Sequence, residues 1–158
     1  MDKYTASVGT QRFMMWLAIA LTLIFAVAWV GLMGFYPPPP ADLAADRVAE
    51  LYGAHNVRFR VGVILALIAG GFLVPISIVI SVQMARLEKG LPLWAILQGT
   101  TGTIGSIFIW LPALLWGVAA FTPERAPELT KLMHEFGWLT FITPLSLFPM
   151  QLIGIIVV

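Results

Sequence analysis

Four long stretches of this chain carry no charged side chain, and they limit the folds open to it. They cover residues 13–36, 61–83, 92–120 and 136–158. As an α-helix rising about 1.5 Å per residue, each is long enough to cross a hydrocarbon core of about 30 Å. Inside a bilayer every backbone polar group needs an internal partner, which an α-helix provides. The pattern predicts an all-α membrane protein, a bundle of four transmembrane helices forming a single integral membrane domain over residues 1–158.

The composition argues against a soluble fold and against several kinds of function. The chain is 59% hydrophobic and 11% charged, whereas soluble domains are roughly 25% charged. Its net charge of +1 provides no field for nucleic acid, so we expect no nucleic-acid partner. Because it contains no Cys, thiolate catalysis and Cys-ligated metals are excluded. Without a nucleotide-binding or hydrolase motif, the sequence predicts no catalytic residue, no metal ligand set and no particular cofactor.

A short amphipathic helix is predicted between the first two spans, at about 42–55. The prolines Pro37–Pro40 end the first span, since proline cannot donate a helical hydrogen bond. Val48, Tyr52 and His55 then share one side of a helix, while the charged residues fall mostly elsewhere. We expect this helix to lie at the membrane surface or over one end of the bundle.

The two ends of the chain allow alternative interpretations. The first apolar run, with Ala26-Val27-Ala28 inside it, has features of a cleavable signal peptide. The run continues to Phe35, however, which favours a retained span. At the other end the chain stops in Ile153–Val158 without a polar flank, so the sequence favours a longer product with further helices after Val158.

Prolines predict that three of the four spans are irregular. Pro75 and Pro112 lie inside the second and third spans and are expected to kink them. Pro144 and Pro149 are expected to bend or break the fourth. Between the second and third spans, the charged segment 84–92 is short enough to make these two helices an antiparallel hairpin.

The third span is predicted to be the inner helix of the bundle. Small residues on a membrane helix usually face another helix, because they let two backbones approach. Gly99, Gly102 and Gly105 are therefore the expected packing positions.

The same span carries the polar side chains of a candidate cavity. Beside a proline kink, such residues can line a site for a solute. The simpler interpretation is packing, with each hydroxyl bonded to a carbonyl of its own helix. The candidate residues are Gln98, Thr101, Thr103 and Ser106.

A second candidate site, at the end of the bundle, consists of His55, His134 and Glu135. Two imidazoles and a carboxylate are a plausible metal or acid–base set if the surface helix folds over the fourth span. The simpler alternative is a pair of interface histidines near lipid head groups.

These observations lead to three hypotheses of function. The first is a non-catalytic multi-pass membrane subunit or scaffold, which contacts lipid and either partner subunits or further copies of itself. The second is a carrier of a small neutral or lipophilic solute. The third is a membrane enzyme acting on a lipid-like substrate through His55, His134 and Glu135. The density of Lys and Arg near Arg12, Arg86 and Lys89 favours a cytoplasmic N-terminus in a bacterial inner membrane.

Overall fold

The computed structural model describes residues 6–158, and this part of the chain consists of helices and the segments that connect them, without a β-strand. Short helical segments of other types interrupt or extend the α-helices: a π-helix at Val27–Leu32 and 3₁₀-helices at Gly70–Phe72 and Thr143–Ser146. Within the described range the α-helices are α1 (Val8–Ala26), α2 (Ala45–Gly53), α3 (Asn56–Ala69), α4 (Leu73–Leu87), α5 (Leu93–Phe121), α6 (Pro127–Ile142) and α7 (Phe148–Val157).

Joined across these short segments, the helices form four long apolar stretches. They are Val8–Leu32, Asn56–Leu87, Leu93–Phe121 and Pro127–Val157, and each is long and apolar enough to cross a membrane. The predicted all-α class and the four apolar helices are confirmed in this respect, by length and composition.

The first long helix begins and ends earlier than residues 13–36. Ser7 caps it, since its hydroxyl accepts a hydrogen bond from the Thr10 amide at 3.1 Å. Its last turns are the π-helix, which packs against Gly62 of α3. A Cβ atom on Gly62 would come within 2.9 Å of Leu32. Gly34, at φ 70°, then turns the chain so that Phe35 enters the core.

The second long helix begins at Asn56 instead of at residue 61, and its first turns bind the end of α5. The Asn56 side chain donates to the Ala120 carbonyl at 2.7 Å. The Arg60 guanidinium donates to Ala120 at 3.1 Å and to Phe121 at 2.6 Å. The last carbonyls of a helix lack intrahelical donors, so these contacts explain why the helix extends over residues that the hydropathy pattern excludes.

Two of the predicted irregularities coincide with changes of helix type. The 3₁₀-helix Gly70–Phe72 lies one turn before Pro75, and the 3₁₀-helix Thr143–Ser146 contains Pro144. A proline leaves the carbonyl four residues earlier without its donor, which favours local 3₁₀ geometry. In contrast, α5 runs through Pro112 without interruption.

The hairpin between α4 and α5 is closed by a side chain that the sequence pattern did not single out. Glu88 accepts hydrogen bonds from the backbone amides of Trp94 at 3.0 Å and Ala95 at 2.7 Å. It therefore caps α5 with a carboxylate, which the positive end of the helix dipole favours. Gly90, at φ 88°, supplies the left-handed turn between them.

The third long helix, α5, is the innermost of the four. In its apolar 18-residue stretch 39% of the residues are buried, against 17–33% in the corresponding stretches of the other three helices. It packs against α3, α4, α6 and α7, and Trp116 at its far end is fully buried. The third long helix thus has the inner position that the sequence predicted for it.

Two of the three glycines that were predicted as packing positions lie where the helices come closest. A Cβ on Gly99 would approach the Ser81 hydroxyl to 2.7 Å, and one on Gly102 would approach Ser77 Cβ to 2.5 Å. At Gly105 the nearest atom to such a Cβ is a Leu73 methyl at 3.9 Å, an ordinary contact. The spacing of α4 and α5 therefore depends on Gly99 and Gly102, whereas Gly105 has room for a side chain.

We predict opposite effects for two alanine substitutions in α5. Gly102→Ala forces α5 away from Ser77 and should lower stability by about 1–3 kcal/mol. Gly105→Ala meets no obstacle and gains helix propensity, so stability should hold or rise by about 0.5–1 kcal/mol. Thermal unfolding of the purified variants in detergent, followed by circular dichroism, measures both. Equal Tm changes in the two variants would contradict the assignment of Gly102 as the contact position.

Candidate functional site

The four residues of the predicted polar cavity do not share one environment. Gln98, Thr101 and Ser106 are buried, and Thr103 is exposed. The hydroxyls bond to carbonyls of their own helix, Thr101 to Leu97 at 2.8 Å and Thr103 to Gly99 at 2.8 Å. This matches the packing interpretation, in which the hydroxyls satisfy local backbone groups.

The centre of the bundle around Gly102 is closely packed. Ser77 of α4 and Gln151 of α7 both reach the Cα of Gly102, with Gln151 Nε2 at 3.1 Å from an ideal Cβ position. Gln98 is 2% exposed, and its Oε1 is sealed without a hydrogen-bond partner in residues 6–158. A small cavity of about 220 Å³ lies nearby at the break of the fourth helix, lined by Gly105, Pro144 and Gln151 among others.

The three residues of the second candidate set, His55, His134 and Glu135, differ in their surroundings. His55 is exposed at the start of α3, and His134 is 5% exposed in α6. The Glu135 side chain is half-exposed and pairs with Lys131 at 3.6 Å. In the described part of the chain, no three His, Cys, Asp or Glu side chains lie close enough together to hold a metal ion.

His134 instead pairs with a tyrosine of the predicted amphipathic helix. That helix, α2, is shorter than residues 42–55 and buries Val48 and Tyr52. It packs against α6, so that the Tyr52 hydroxyl lies 2.8 Å from His134 Nδ1. Tyr52 is only 2% exposed. Burial raises the pKa of the Tyr52 hydroxyl well above its ordinary value, because the anion would lose its water.

Hydrogen-bond accounting assigns the direction of this contact. If His134 Nδ1–H donated, the Tyr52 proton would be buried without an acceptor, because Tyr52 has no other partner in residues 6–158. If Tyr52 donates, its hydroxyl is satisfied and the imidazole proton lies on Nε2. No group in that range pairs with Nε2, which is also not among the sealed polar atoms. His134 thus presents one free N–H donor.

An aromatic cluster surrounds this pair. Phe35 and Trp116 approach to 4.7 Å between ring centroids, and Tyr52 and Phe59 also to 4.7 Å. Trp138 contacts Trp116 at 5.3 Å. Such ring pairs contribute beyond their buried area, so the cluster fixes the end of the bundle that holds His134.

A cavity of about 480 Å³ opens beside His134. One wall is a stripe of α6, with His134 and Glu135 at one end and Leu139 and Ile142 at the other. Trp138 lies between them, and the opposite wall is the proline segment 38–41. Its volume lies within the range of small-molecule sites, about 300–1,000 Å³.

A larger open groove of about 770 Å³ runs along the outside of α4 and α5. Its small residues include Ser81, Ala85, Ala95 and Gly99, and isoleucines of both helices form its rims. Thr100 and Thr103 also line it. The groove includes residues from both predictions for this span, because Thr103 belongs to the predicted cavity and Gly99 to the predicted packing positions.

Tyr52, Trp116 and the proline segment were missed as site residues. The helical spacing of His134 and Trp138 was visible in the sequence. No local pattern indicates that α2 folds onto α6, because Tyr52 and His134 are 82 positions apart. The signal available was the amphipathic pattern of α2, which places Tyr52 on the apolar side.

No known protein family matches this chain, and neither a curated protein nor a solved structure shows significant similarity to it.

We predict that Tyr52→Phe destabilises the protein by about 1 kcal/mol, because it removes the hydrogen bond that the hydroxyl makes within residues 6–158 and leaves His134 Nδ1 unpaired. A decrease of a few degrees in Tm, measured in detergent, is the expected result. Tyr36→Phe is the matched control, because Tyr36 is 71% exposed. An unchanged Tm in Tyr52→Phe would show that the contact contributes nothing.

Proposed function

We propose that this chain is a non-catalytic, multi-pass membrane subunit whose α4–α5 groove holds a transmembrane helix of a partner chain. The single observation that carries the proposal is the groove of about 770 Å³ with small residues in its walls. The partner is either another copy of this chain or a different membrane protein.

The shape of the groove supports a helix as its occupant. It extends from Pro92 to Ile104, about 18 Å along α5, which is roughly three helical turns. The side chains of Ser81, Ala85 and Gly99 are small, so the backbone of another helix could approach closely along the groove. Close packing of this kind favours helix association in lipid. The exposed isoleucines at its rims would flank an apolar helix lying between them.

Hydroxyl groups along the groove also support a protein partner over lipid tails. Thr100 is exposed, and its hydroxyl has no hydrogen-bond partner in residues 6–158. Ser81 Oγ is also unpaired in that range but is sealed from the groove surface, so of these two hydroxyls that of Thr100 is the one open to a partner helix. Hydroxyls on membrane helices commonly form hydrogen bonds with a neighbouring helix. A lipid hydrocarbon chain has no group that could form such a bond.

We further propose that the four long helices cross a bacterial inner membrane with the N-terminus in the cytoplasm, and that α2 lies near the opposite surface. The support is the dense pair Arg86 and Lys89 in the short reversal between α4 and α5. Arg60 would lie at the opposite membrane surface. Its guanidinium donates hydrogen bonds to carbonyls of α5, so this cation has a structural role there.

To test the subunit role, we predict that Thr103→Trp reduces partner association at least tenfold, because the indole fills the groove. Ile107→Trp is the matched control, since Ile107 is 55% exposed on the same helix but does not line the groove. Co-purification in mild detergent, with chemical cross-linking to size the complex, measures the association. A wild-type chain that purifies strictly alone and monomeric would refute the subunit role.

To test the orientation, we predict that Lys89→Cys resists an impermeant thiol reagent added to intact cells, whereas Glu124→Cys reacts. Both positions are exposed, and the chain has no native Cys, so each variant carries one target. Both cysteines should react after the membrane is permeabilised. The reverse labelling pattern would place the N-terminus outside the cytoplasm.

A further inference from the structure

We infer that the cavity beside His134 binds a neutral lipophilic molecule with a carbonyl head group, held by a hydrogen bond from His134 Nε2–H. This site goes beyond the subunit role, since it lies on α6 and the proline segment instead of on the α4–α5 groove. The two proposals therefore stand or fall separately.

The cavity has one polar end and one apolar end. His134 and Glu135 line the first, and Ile142 lies two turns further along α6, about 12 Å away. Leu139 and Ile142 are 66% and 52% exposed, so the apolar end is open at the outer side of the helix. An amphipathic molecule fits this gradient, with its tail entering past Leu139 and its head beside His134.

The free donor defines the head group. The Tyr52 hydroxyl occupies Nδ1 at 2.8 Å and leaves the proton on Nε2. A protonated Nε2 donates to an oxygen acceptor and has no lone pair for a metal ion. His134 is 5% exposed, so its orientation is held by packing and by Tyr52, and the donor is preorganised for a ligand.

Two other side chains narrow the ligand class. The Glu135 carboxylate lines the same end of the cavity, whereas Lys131, which pairs with it at 3.6 Å, does not. An anionic head such as a fatty-acid carboxylate would therefore meet the carboxylate, which disfavours it. The Trp138 ring borders the cavity between its two ends and offers a face for a planar group. A ketone, quinone or ester carbonyl satisfies both conditions.

The probe for this site is decylubiquinone, titrated against the full-length protein in detergent micelles, with binding followed by tryptophan quenching. We expect saturable binding. Leu139→Trp fills the apolar end of the cavity and should raise Kd at least tenfold. Leu132→Trp is the matched control, because Leu132 is also exposed on α6, at 53%, but does not line the cavity.

The donor is tested with His134→Phe, which keeps an aromatic ring but removes Nε2–H. It should raise Kd about tenfold, the effect of one hydrogen bond. If this variant loses helicity, Leu139→Trp alone decides the outcome. Short-chain phosphatidylcholine is then added as a competitor. Full displacement would identify an ester carbonyl of a membrane lipid as the natural head group, and no displacement would favour a quinone or ketone.

The proposal is overturned by either of two results. One is an equal Kd for Leu139→Trp, Leu132→Trp and the wild type, which would mean that quenching reports partition into the micelle. The other is equal displacement of decylubiquinone by decane, which has a tail but no carbonyl.

Discussion

The close approach of α4 and α5 at Gly99 and Gly102 is the contact on which the rest of the bundle depends. α5 lies against α3, α4, α6 and α7, so its distance from α4 determines where the other helices pack. In lipid, two helices have no hydrophobic force between them to compensate for a poor fit, so a close fit of this kind is what would stabilise the pair there. Ser77 lies against Gly102 and Ser81 against Gly99, so the two helices leave no gap between them at these positions. This contact between α4 and α5 is therefore closely packed, and the groove of about 770 Å³ opens along its outer side.

The fold class and the four long helices could be predicted because length and hydropathy are local properties of the chain. The changes of helix type near Pro75 and Pro144 could be predicted for the same reason, since a proline acts on its own turn. The helix boundaries could not be predicted in this way. Residues 56–60 become helical because Asn56 and Arg60 bond to the free carbonyls of Ala120 and Phe121, and these lie far away in sequence. The π-helix before Gly34 likewise reflects packing on Gly62.

For the candidate sites, the sequence indicates residue types but not the partners that each side chain meets in the fold. His134 could be singled out by residue type, but its partner Tyr52 depends on α2 folding over α6. For α5, residue type indicates that small and polar side chains lie on the helix without indicating which face another helix of the same chain covers. Gly102 and Gln98 lie inside the bundle, and Thr100 and Thr103 lie on the open groove. Only tertiary structure separates the two faces, because both have the same helical spacing.

The groove lies on α4 and α5, whereas the cavity beside His134 lies on α6 and the proline segment, which raises the question of whether occupation of one affects the other. The cavity borders Trp138, whose ring contacts Trp116 of α5 at 5.3 Å. Trp116 in turn packs against Gly137, where a Cβ would come within 2.6 Å of its Cδ1. Coupling between two sites needs an element with two alternative arrangements. The contacts at Gly102 and Gly137 each leave less space than a methyl group requires, so α5 has little freedom to shift along either direction. Rigid packing of this kind favours two independent sites, one on each side of α5, over an allosteric pair.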